Sequence, residues 1–325
     1  MNQKLSNALE TIFKGTDGYS LLELKTAYQN LSYRYRYGES FRFNSPVEAQ
    51  AYALGRMPAT TAALTDVLRH LKPYINDIHS LLDVGCGSGA SLWAAQETLL
   101  LEKALMLDQS SLFLDLARRL ATYLDYSPHL DWRQEQVQTL ALSPDSQSDI
   151  VILSYVLNEL SAKTQDKLLK TAWDHTHQFL VLVEPGTPKG FEHIHKARQF
   201  LIQENASILA PCTHEQSCPL APSLQQQKSP DWCHFKVRVG RSPLHQRLKG
   251  VLSFEDEKYC YLIASKKALK GRPWGRIIKN PRHHTGWLEL EVCTKEGLIQ
   301  QKVTKKNKSL YKTNKKLKWG ENVNV

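Results

Sequence analysis

The sequence predicts an α/β fold with a mostly parallel central sheet, because short apolar segments alternate with segments of helical periodicity. Four apolar runs have the length of buried strands, and they cover residues 80–84, 104–108, 149–154 and 179–185. Stretches of helical spacing separate them at residues 91–101, 111–123 and 162–175. Strands that alternate with helices in this order favour a doubly wound sheet.

A helical region precedes this alternation. Apolar residues such as Leu21, Leu24, Tyr28 and Leu31 recur near helical spacing, and residues 1–75 contain no run of β-branched residues. Helices present their apolar side chains with this period. We therefore expect a helical N-terminal region over residues 1–75, followed by an α/β core over residues 76–205.

The rest of the chain divides by composition. Residues 206–240 are rich in Pro, Gln and Cys, and we expect an insertion that is held by something other than a hydrophobic core. Residues 241–300 contain strand-like segments at 258–264 and 287–292, which either complete the main sheet or form a small separate β element. Residues 301–325 form a basic tail, which we expect to be solvated unless a partner orders it.

Composition restricts the class of protein. The chain has 325 residues, 42% of them hydrophobic and 23% charged, which suffices for a sizeable core and excludes wholesale disorder. No uninterrupted apolar stretch approaches the roughly 20 residues of a membrane span. The N-terminus does not resemble a signal or transit peptide, so we expect a soluble protein without membrane attachment.

Charge is distributed unevenly along the chain. Residues 1–235 contain 20 basic and 25 acidic side chains, whereas residues 236–325 contain 22 and 7, so the two parts carry formal charges of −5 and +15. This asymmetry predicts that the C-terminal part binds a polyanion such as RNA. Phosphate contacts would come from Lys305, Lys306, Lys308, Lys312, Lys315, Lys316 and Lys318, with Tyr311 and Trp319 available for base stacking. A solvated lysine face is the alternative.

A glycine-rich loop follows the first predicted strand and opens a helix. Its glycines are Gly85, Gly87 and Gly89, Asp83 precedes them, and Asp108 ends the second predicted strand. A nucleotide approaches the backbone closely at this place in an α/β fold, and only glycine leaves room for it. Asp108 is placed to accept hydrogen bonds from ribose hydroxyls. The alternatives are a dinucleotide site, as in an NAD-linked oxidoreductase, and a glycine-rich turn that binds nothing.

The loop resembles the acidic-x-Gly-x-Gly-x-Gly loop of class I methyltransferases, whose acid engages the methionine end of S-adenosylmethionine. Asp83 and all three glycines match that pattern. The resemblance implies a Rossmann-like class I methyltransferase sheet and an S-adenosylmethionine site at Asp83, Gly85, Gly87, Gly89 and Asp108.

Asn158 and Glu159 follow the predicted strand at residues 149–154. Class I methyltransferases place substrate-side residues there, so these two side chains are candidate catalytic residues. The Asn or Asp followed by Pro-Pro-Tyr that is typical of amino methyltransferases is not present, and neither is the nucleophilic Cys of cytosine methyltransferases. Capping of the following helix is the alternative role for both residues.

Four cysteines are candidate metal ligands, namely Cys212, Cys218, Cys233 and Cys293. Soft thiolates in a Pro-rich segment suit an iron–sulfur cluster or a structural zinc ion. The spacing is not that of a zinc finger, and four free thiols are the alternative. His214 and His234 are reserve ligands. Cys86 and Cys260 are interpreted as packing residues.

Several blocks of sequence resemble the methyltransferase-like proteins of the mitochondrial small ribosomal subunit and their bacterial relatives. The most specific block is Asp-Trp-Cys-His-Phe at residues 231–235. Others are Arg-Met-Pro-Ala-Thr at 56–60, Val-Glu-Pro-Gly-Thr-Pro at 183–188, Ala-Pro-Cys-Thr-His at 210–214, Cys-Pro-Leu at 218–220, Arg-Ile-Ile at 276–278 and Trp-Gly at 319–320. These blocks span nearly the whole chain.

This resemblance implies a [4Fe–4S] cluster at Cys212, Cys218, Cys233 and Cys293, and association with small-subunit ribosomal RNA during ribosome assembly. Two functions follow from it: a methyltransferase that acts on ribosomal RNA, or a non-catalytic assembly factor that binds the RNA and carries the cluster. The N-terminal sequence lacks an Arg-rich, acid-poor leader, so we expect a member from the bacterial cytoplasm.

Overall fold

The N-terminal region is helical, as the sequence predicts. In this computed structural model, residues 3–14, 18–36, 45–126, 128–221, 231–250, 252–269 and 271–323 are described. The helices are α1 (Gln3–Lys14), α2 (Leu21–Arg36) and α3 (Pro46–Leu68), and a 3₁₀ segment (Arg69–Asp77) follows them. Most of α3 is buried, because α2 packs against one of its sides and the α/β core against others.

Five parallel strands and their helices form the core. In chain order they are β1 (Ser80–Val84), α4 (Ala90–Gln96), β2 (Lys103–Asp108), α5 (Ser111–Ala121), β3 (His129–Gln134), β4 (Ser148–Ser154), α6 (Ala162–Asp174), β5 (Thr176–Pro185) and α7 (Pro188–Gln203). The sequence analysis missed β3. This edge strand is half-exposed and largely polar, so it lacks the apolar run that marks the other four.

The main sheet is completed by three strands from the C-terminal half. They are β6 (Ser207–Ala210), β7 (Phe235–Gly240) and β8 (Phe254–Ser265), and α8 (Pro243–Lys249) lies between the last two. The strand order is β3-β2-β1-β4-β5-β8-β6, and β7 also pairs with β8. Strand β8 is antiparallel to both β5 and β6. Parallel strands β1 to β6, with the antiparallel strand β8 inserted between β5 and β6, form the class I methyltransferase sheet, which confirms the predicted fold class.

Residues 206–240 do not form an insertion outside the sheet, contrary to the expectation. Both ends of this range are strands, β6 and β7, and Ile208, Ala210, Phe235 and Val239 are buried in the core. Each strand alone is too short to stand out from the Pro-rich surroundings. Residues 222–230 lie outside the described part of the chain.

The two predicted C-terminal strands lie in different sheets. The first became β8 of the main sheet, whereas the second is β11 of a separate five-stranded sheet. This small sheet contains β9 (Gly275–Ile277), β10 (Arg282–His284), β11 (Trp287–Thr294), β12 (Gly297–Thr304) and β13 (Asn322–Val323). Its own core includes Ile277, Leu288, Leu290, Val292 and Val303.

The basic tail is folded onto this small sheet. Part of it is β12, and α9 (Lys308–Asn314) packs against the sheet through Leu310 and Tyr311. The expectation of a solvated tail is therefore wrong for residues 301–323, because apolar residues are interspersed among the lysines. No helix in the described part of the chain is long and apolar enough to cross a membrane.

Candidate functional site

A cavity of about 390 Å³ lies at the carboxyl ends of β1, β2 and β4, where open α/β sheets bind ligands. Its walls come from the glycine loop, the segment after β2, the start of α5 and the segment after β4. Helix α3 contributes Tyr52, Met57 and Thr60 to the wall. The sequence analysis did not single out these three side chains, although they stand in or near the Arg-Met-Pro-Ala-Thr block.

The glycine loop has a backbone that other residues adopt only with strain. Gly85, Gly87 and Gly89 have φ angles of 81°, 52° and 84°, which L side chains disfavour. A Cβ atom on Gly85 would lie 2.4 Å from Cγ2 of Val156, whereas a Cβ atom on Gly87 would meet only Phe113, at 4.0 Å. Gly85 and Gly87 line the cavity, and Gly89 lies behind it as the residue that precedes α4.

Asp108 lines the cavity and holds the loop in place. Its Oδ2 accepts a hydrogen bond from the backbone N–H of Gly87 at 2.8 Å, and its Oδ1 accepts one from Ser110 at 2.8 Å. Burial raises the pKa of Asp108, and these two N–H donors oppose the shift. Each carboxylate oxygen retains a second lone pair, so Asp108 is able to accept a further hydrogen bond from a ligand.

Asp83 is near the loop but does not line the cavity. Its side chain is completely buried, and Oδ2 accepts a hydrogen bond from the hydroxyl of Ser91 in α4. Its Oδ1 has no hydrogen-bond partner among the described residues. Burial raises the pKa of Asp83 to about 7, the Ser91 hydroxyl opposes this shift, and the charge of Asp108 adds to it. The structure thus places this acid beneath the loop.

Glu159 lines the cavity, whereas Asn158 is not among its lining residues. Both lie in a 3₁₀ turn, Leu157–Glu159. Glu159 is partly exposed to solvent; desolvation at the cavity wall raises its pKa to about 7, and the charges of Asp108 and Glu184 add to the shift. The capping alternative is not what the structure shows, because Ser161 is the residue that precedes α6.

Buried groups that the sequence analysis did not assign support this turn. Oε1 of Glu184, at the end of β5, accepts the backbone N–H of Leu157 at 2.9 Å. Gln165 donates to the carbonyl of Leu157 at 2.7 Å and lies 3.4 Å from Nε2 of His193. Burial raises the pKa of Glu184, and the nearby His193 ring, 3.9 Å away, and the backbone N–H of Leu157 oppose the shift. The Val-Glu-Pro-Gly-Thr-Pro block was the signal that pointed to this position.

Tyr155 forms a further part of the cavity wall in an unusual conformation. Its φ angle is 61°, which is rare for a residue that is not glycine. Its hydroxyl donates to Oε1 of Glu257 at 3.1 Å, and Arg56 forms an ion pair with the same oxygen at 3.0 Å. These two contacts, which share Glu257, connect α3, the end of β4 and β8 beside the cavity.

All four candidate metal-ligating cysteines line one small interior cavity. Cys212 and Cys218 come from the segment after β6, Cys233 precedes β7, and Cys293 is in β11 of the small sheet. None of the four forms a disulfide. The cavity is therefore the place where the main sheet and the small sheet meet. The sequence spacing alone could not predict this proximity, because 60 residues separate Cys233 from Cys293.

The environment of these thiols disfavours the charged form without a metal. Burial raises the pKa of Cys293 to about 12 and that of Cys233 well above its ordinary value, and the neighbouring cysteines add to both shifts. Among the described residues, no three His, Cys, Asp or Glu side chains are arranged to hold a single metal ion.

The two reserve histidines differ in position. Nε2 of His214 lies 4.0 Å from Sγ of Cys293, whereas the ring of His234 stacks on Trp232 and meets the edge of Trp319. Cys86 and Cys260 are both buried in apolar surroundings outside the four-cysteine cavity. Of the two reserve histidines, His214 therefore lies beside the four cysteines, and His234 packs between tryptophan rings.

The lysines of the C-terminal region form an exposed surface. It consists of Lys305, Lys306, Lys308, Lys312, Lys315, Lys316 and Lys318, which we call the lysine surface. The aromatic residues expected to stack on bases have other contacts: Tyr311 packs onto the core of the small sheet, and Trp319 packs against His234. The exposed ring near this surface is instead His284, which stacks on Trp287 at 3.8 Å.

Comparisons with known proteins are consistent with this architecture. The chain is 27% identical to the human ribosome assembly protein METTL17, mitochondrial, over 267 residues, which cover 74% of this chain and 54% of that protein. It is 25% identical to the Rsm22-cox11 tandem protein 2, mitochondrial, of Schizosaccharomyces pombe, over 87% of this chain and 44% of that protein. The chain thus spans about half the length of these curated relatives.

Solved structures with related folds are more distant. Magnesium protoporphyrin IX methyltransferase from Synechocystis, with bound SAH, is 15% identical with a TM-score of 0.42, over 75% of this chain and all of that one. The plantazolicin methyltransferase BpumL, in complex with SAH, is 14% identical with a TM-score of 0.39, over 76% of this chain and 98% of that one.

The family assignment rests on a sequence profile. The profile of the mitochondrial small ribosomal subunit Rsm22 family matches residues 46–324. This range includes the glycine loop, all four cysteines and the lysine surface. The chain therefore belongs to the mitochondrial small ribosomal subunit Rsm22 family.

Proposed function

We propose that this protein binds S-adenosylmethionine and acts as a methyltransferase on small-subunit ribosomal RNA during ribosome assembly. The observation that carries the proposal is the cavity at the carboxyl ends of β1, β2 and β4, with two left-handed glycines and three carboxylates, Asp108, Glu135 and Glu159, in its wall. The relatives named above are ribosomal or ribosome-assembly proteins, which supports the RNA partner. Those relatives are mitochondrial, so a bacterial cytoplasmic location remains a prediction.

The chain's own residues suit this cofactor. S-adenosylmethionine supplies a methyl group on a sulfonium centre, which transfers in line to a nucleophile. Gly85 and Gly87 leave the loop wall without side chains, and Asp108 offers an acceptor for a ribose hydroxyl. Asp108 and Glu159 bring negative charge to the cavity, and Asp83 lies beneath the loop, where negative charge favours a cationic ligand.

Glu159 is the group best placed to handle a proton. With a pKa of about 7 it exists in both protonation states near neutral pH, as a general base requires. Asn158 donates its backbone N–H to Glu184 and is not part of the cavity wall, so a positioning role through the turn fits it better. Most of the rate would come from orientation of the two reactants in the cavity.

We further propose that the four cysteines hold a [4Fe–4S] cluster, with zinc as the alternative. A zinc ion bound by four thiolates would hold the sulfur atoms within about 4 Å of one another. A cubane cluster holds its four thiolates further apart around a larger group. The cluster would join Cys293 of the small sheet to the main sheet.

The lysine surface is the proposed RNA contact. Its lysines are exposed, and no carboxylate forms an ion pair with them among the described residues. Phosphate groups of RNA would supply negative charges that pair with these lysines. Tyr311 and Trp319 are half-buried against the small sheet and His234, so the exposed His284 ring is the more accessible one for base stacking.

A second candidate function is a non-catalytic assembly factor that carries the cluster and binds RNA. It is favoured by the position of Asn158 outside the cavity wall and by the participation of both Asp108 oxygens in loop hydrogen bonds. In that case S-adenosylmethionine would stabilise the fold without transfer of its methyl group.

The cofactor site is tested with Gly87→Leu. A Cβ atom on Gly87 meets only Phe113, at 4.0 Å, so the fold accommodates a leucine side chain there and that side chain takes up space in the cavity. Gly271→Leu is the matched control, since Gly271 has a φ angle of 66° and open space around its Cβ position away from the cavity. Isothermal titration with S-adenosylmethionine should show binding by wild type and Gly271→Leu and none by Gly87→Leu. Equal affinity in all three proteins would refute the site.

A further inference from the structure

Two arginines are buried beside the four cysteines. The side chains of Arg198, in α7, and Arg276, in β9, line the same cavity as the thiols. Arg198 is 4% exposed and Arg276 is 2% exposed. Arginine is almost never buried to this extent without a partner of opposite charge, because the desolvation of a cation is costly.

The hydrogen bonds of both guanidinium groups go to neutral carbonyls. Nη2 of Arg198 donates to the carbonyls of His214 and Gln216, both at 2.8 Å. Arg276 donates from Nε to Pro211 at 2.7 Å and from Nη1 to Gly320 at 2.8 Å. Among the described residues, neither arginine has a carboxylate within ion-pair distance, and Nε of Arg198 has no acceptor. Glu215, which lies between the two carbonyl residues in sequence, is hydrogen-bonded to Arg272, and the Arg198 charge reaches it only as a weaker, through-space effect that lowers its pKa.

Carbonyl contacts of this kind also hold the segment that carries two of the cysteines. Arg276 binds Pro211, which precedes Cys212, and Arg198 binds two carbonyls between Cys212 and Cys218. The arginines therefore act on the site in two ways, by fixing its backbone and by placing two positive charges at its edge.

We infer that Arg198 and Arg276 are the counter-charges and positioning residues of an anionic metal–thiolate group held by Cys212, Cys218, Cys233 and Cys293. This inference rests on the metal site proposed above. Four thiolates around a zinc ion, or around an oxidised [4Fe–4S] cluster, leave a net charge of about −2. Two guanidinium groups balance that charge, and the metal group in turn explains why two cations are buried without carboxylates.

Two substitutions of the same arginine distinguish the effect of its positive charge from the effect of its hydrogen bonds to the backbone. Arg198→Lys and Arg198→Met both remove the two-carbonyl fork and have similar length, but only lysine retains the charge. Arg276→Lys and Arg276→Met form a second pair. Arg238→Met is the control, because Arg238 is exposed and already paired with Asp256. Each protein is purified without oxygen, and iron, acid-labile sulfide and zinc are measured per chain.

We expect wild type and Arg238→Met to carry the full metal content, the lysine variants to retain most of it, and the methionine variants to lose most of it. In any metal-loaded methionine variant the reduction potential should shift to more negative values, because the reduced group gains negative charge without its counter-charge. Titration with S-adenosylmethionine and circular dichroism check that each variant is folded.

Two results would overturn the inference while leaving the proposed metal site intact: equal metal loss in the Lys and Met variants, or full metal content with an unchanged potential in the Met variants. Absence of both iron and zinc from the wild-type protein would instead refute the metal site and the inference together.

Discussion

Replacement of Asp83 by Asn tests whether the carboxylate beneath the glycine loop is kept at a cost to stability. Asp83 is completely buried, one of its oxygens has no partner among the described residues, and its pKa is raised from 3.8 to about 7. The folded state thus binds the proton more tightly than the unfolded chain. The contribution of this group to the free energy of unfolding is fully present below about pH 4 and is lost as the pH rises through 7.

The size of the effect follows from the shift. Each pKa unit corresponds to about 1.4 kcal/mol, so a shift of roughly three units costs the wild-type protein up to about 4 kcal/mol at pH 8. Asparagine has the same shape, is neutral at every pH, and is able to accept the Ser91 hydrogen bond. We therefore expect Asp83→Asn to be more stable than wild type at pH 8 by an amount that approaches this figure, and of similar stability near pH 4.

Urea unfolding followed by circular dichroism at several pH values measures this difference. Asp131→Asn is the control, because Asp131 is a half-exposed strand residue paired with Arg133, and its replacement should change stability by less than about 1 kcal/mol at any pH. The same Asp83→Asn protein should bind S-adenosylmethionine more weakly, since a negative charge beneath the loop is lost. A variant that is less stable than wild type at pH 8, or equally stabilised at both pH values, would show that the reasoning is wrong.

Three further predictions concern the other sites. Asp108→Asn should weaken S-adenosylmethionine binding about tenfold or more in calorimetry, because one of the two loop N–H groups loses its acceptor; unchanged affinity would exclude Asp108 from the site. Cys218→Ser should lose most of its iron and its visible absorption, and should associate less with small ribosomal subunits, whereas Cys86→Ala should retain both; normal iron in Cys218→Ser would remove it from the ligand set. The double variant Lys312→Glu, Lys316→Glu should lower the affinity for RNA in filter binding and make that affinity less dependent on salt concentration. The control is Lys103→Glu, Lys163→Glu in the α/β core, which should change neither quantity as much. Equal effects of the two double variants would argue against the lysine surface.

Much of the α/β core could be predicted because its strands are buried on both faces and therefore read as uninterrupted apolar runs. Strand β3 was not predicted, because it lies at the edge of the sheet and four of its six side chains are polar. The glycine loop was visible because its conformation demands glycine at three spaced positions. The residues of α3 in the cavity wall could not be predicted, because helical residues that face a ligand have the same sequence pattern as helical residues that face a core.

The four-cysteine site was predictable only from resemblance. Local spacing carries information about ligands that lie on one turn or hairpin, but Cys293 reaches the site through the pairing of β11 with β9. The positive charge of the C-terminal part could be read from its composition. That this part folds could not be predicted, because the folding rests on a few apolar residues among the lysines. Those residues, Leu310, Tyr311 and Leu317, pack on the small sheet and leave the lysines outside.

Transfer of a labelled methyl group tests the central claim most directly. Small ribosomal subunits from cells that lack the protein are incubated with the purified chain and S-adenosylmethionine labelled in its methyl group, and the ribosomal RNA is then isolated and counted. We predict label in the RNA with wild-type protein and with Gly271→Leu, and none with Gly87→Leu. Unlabelled RNA in the presence of a wild-type protein that is saturated with S-adenosylmethionine would contradict a methyltransferase and support the non-catalytic assembly factor.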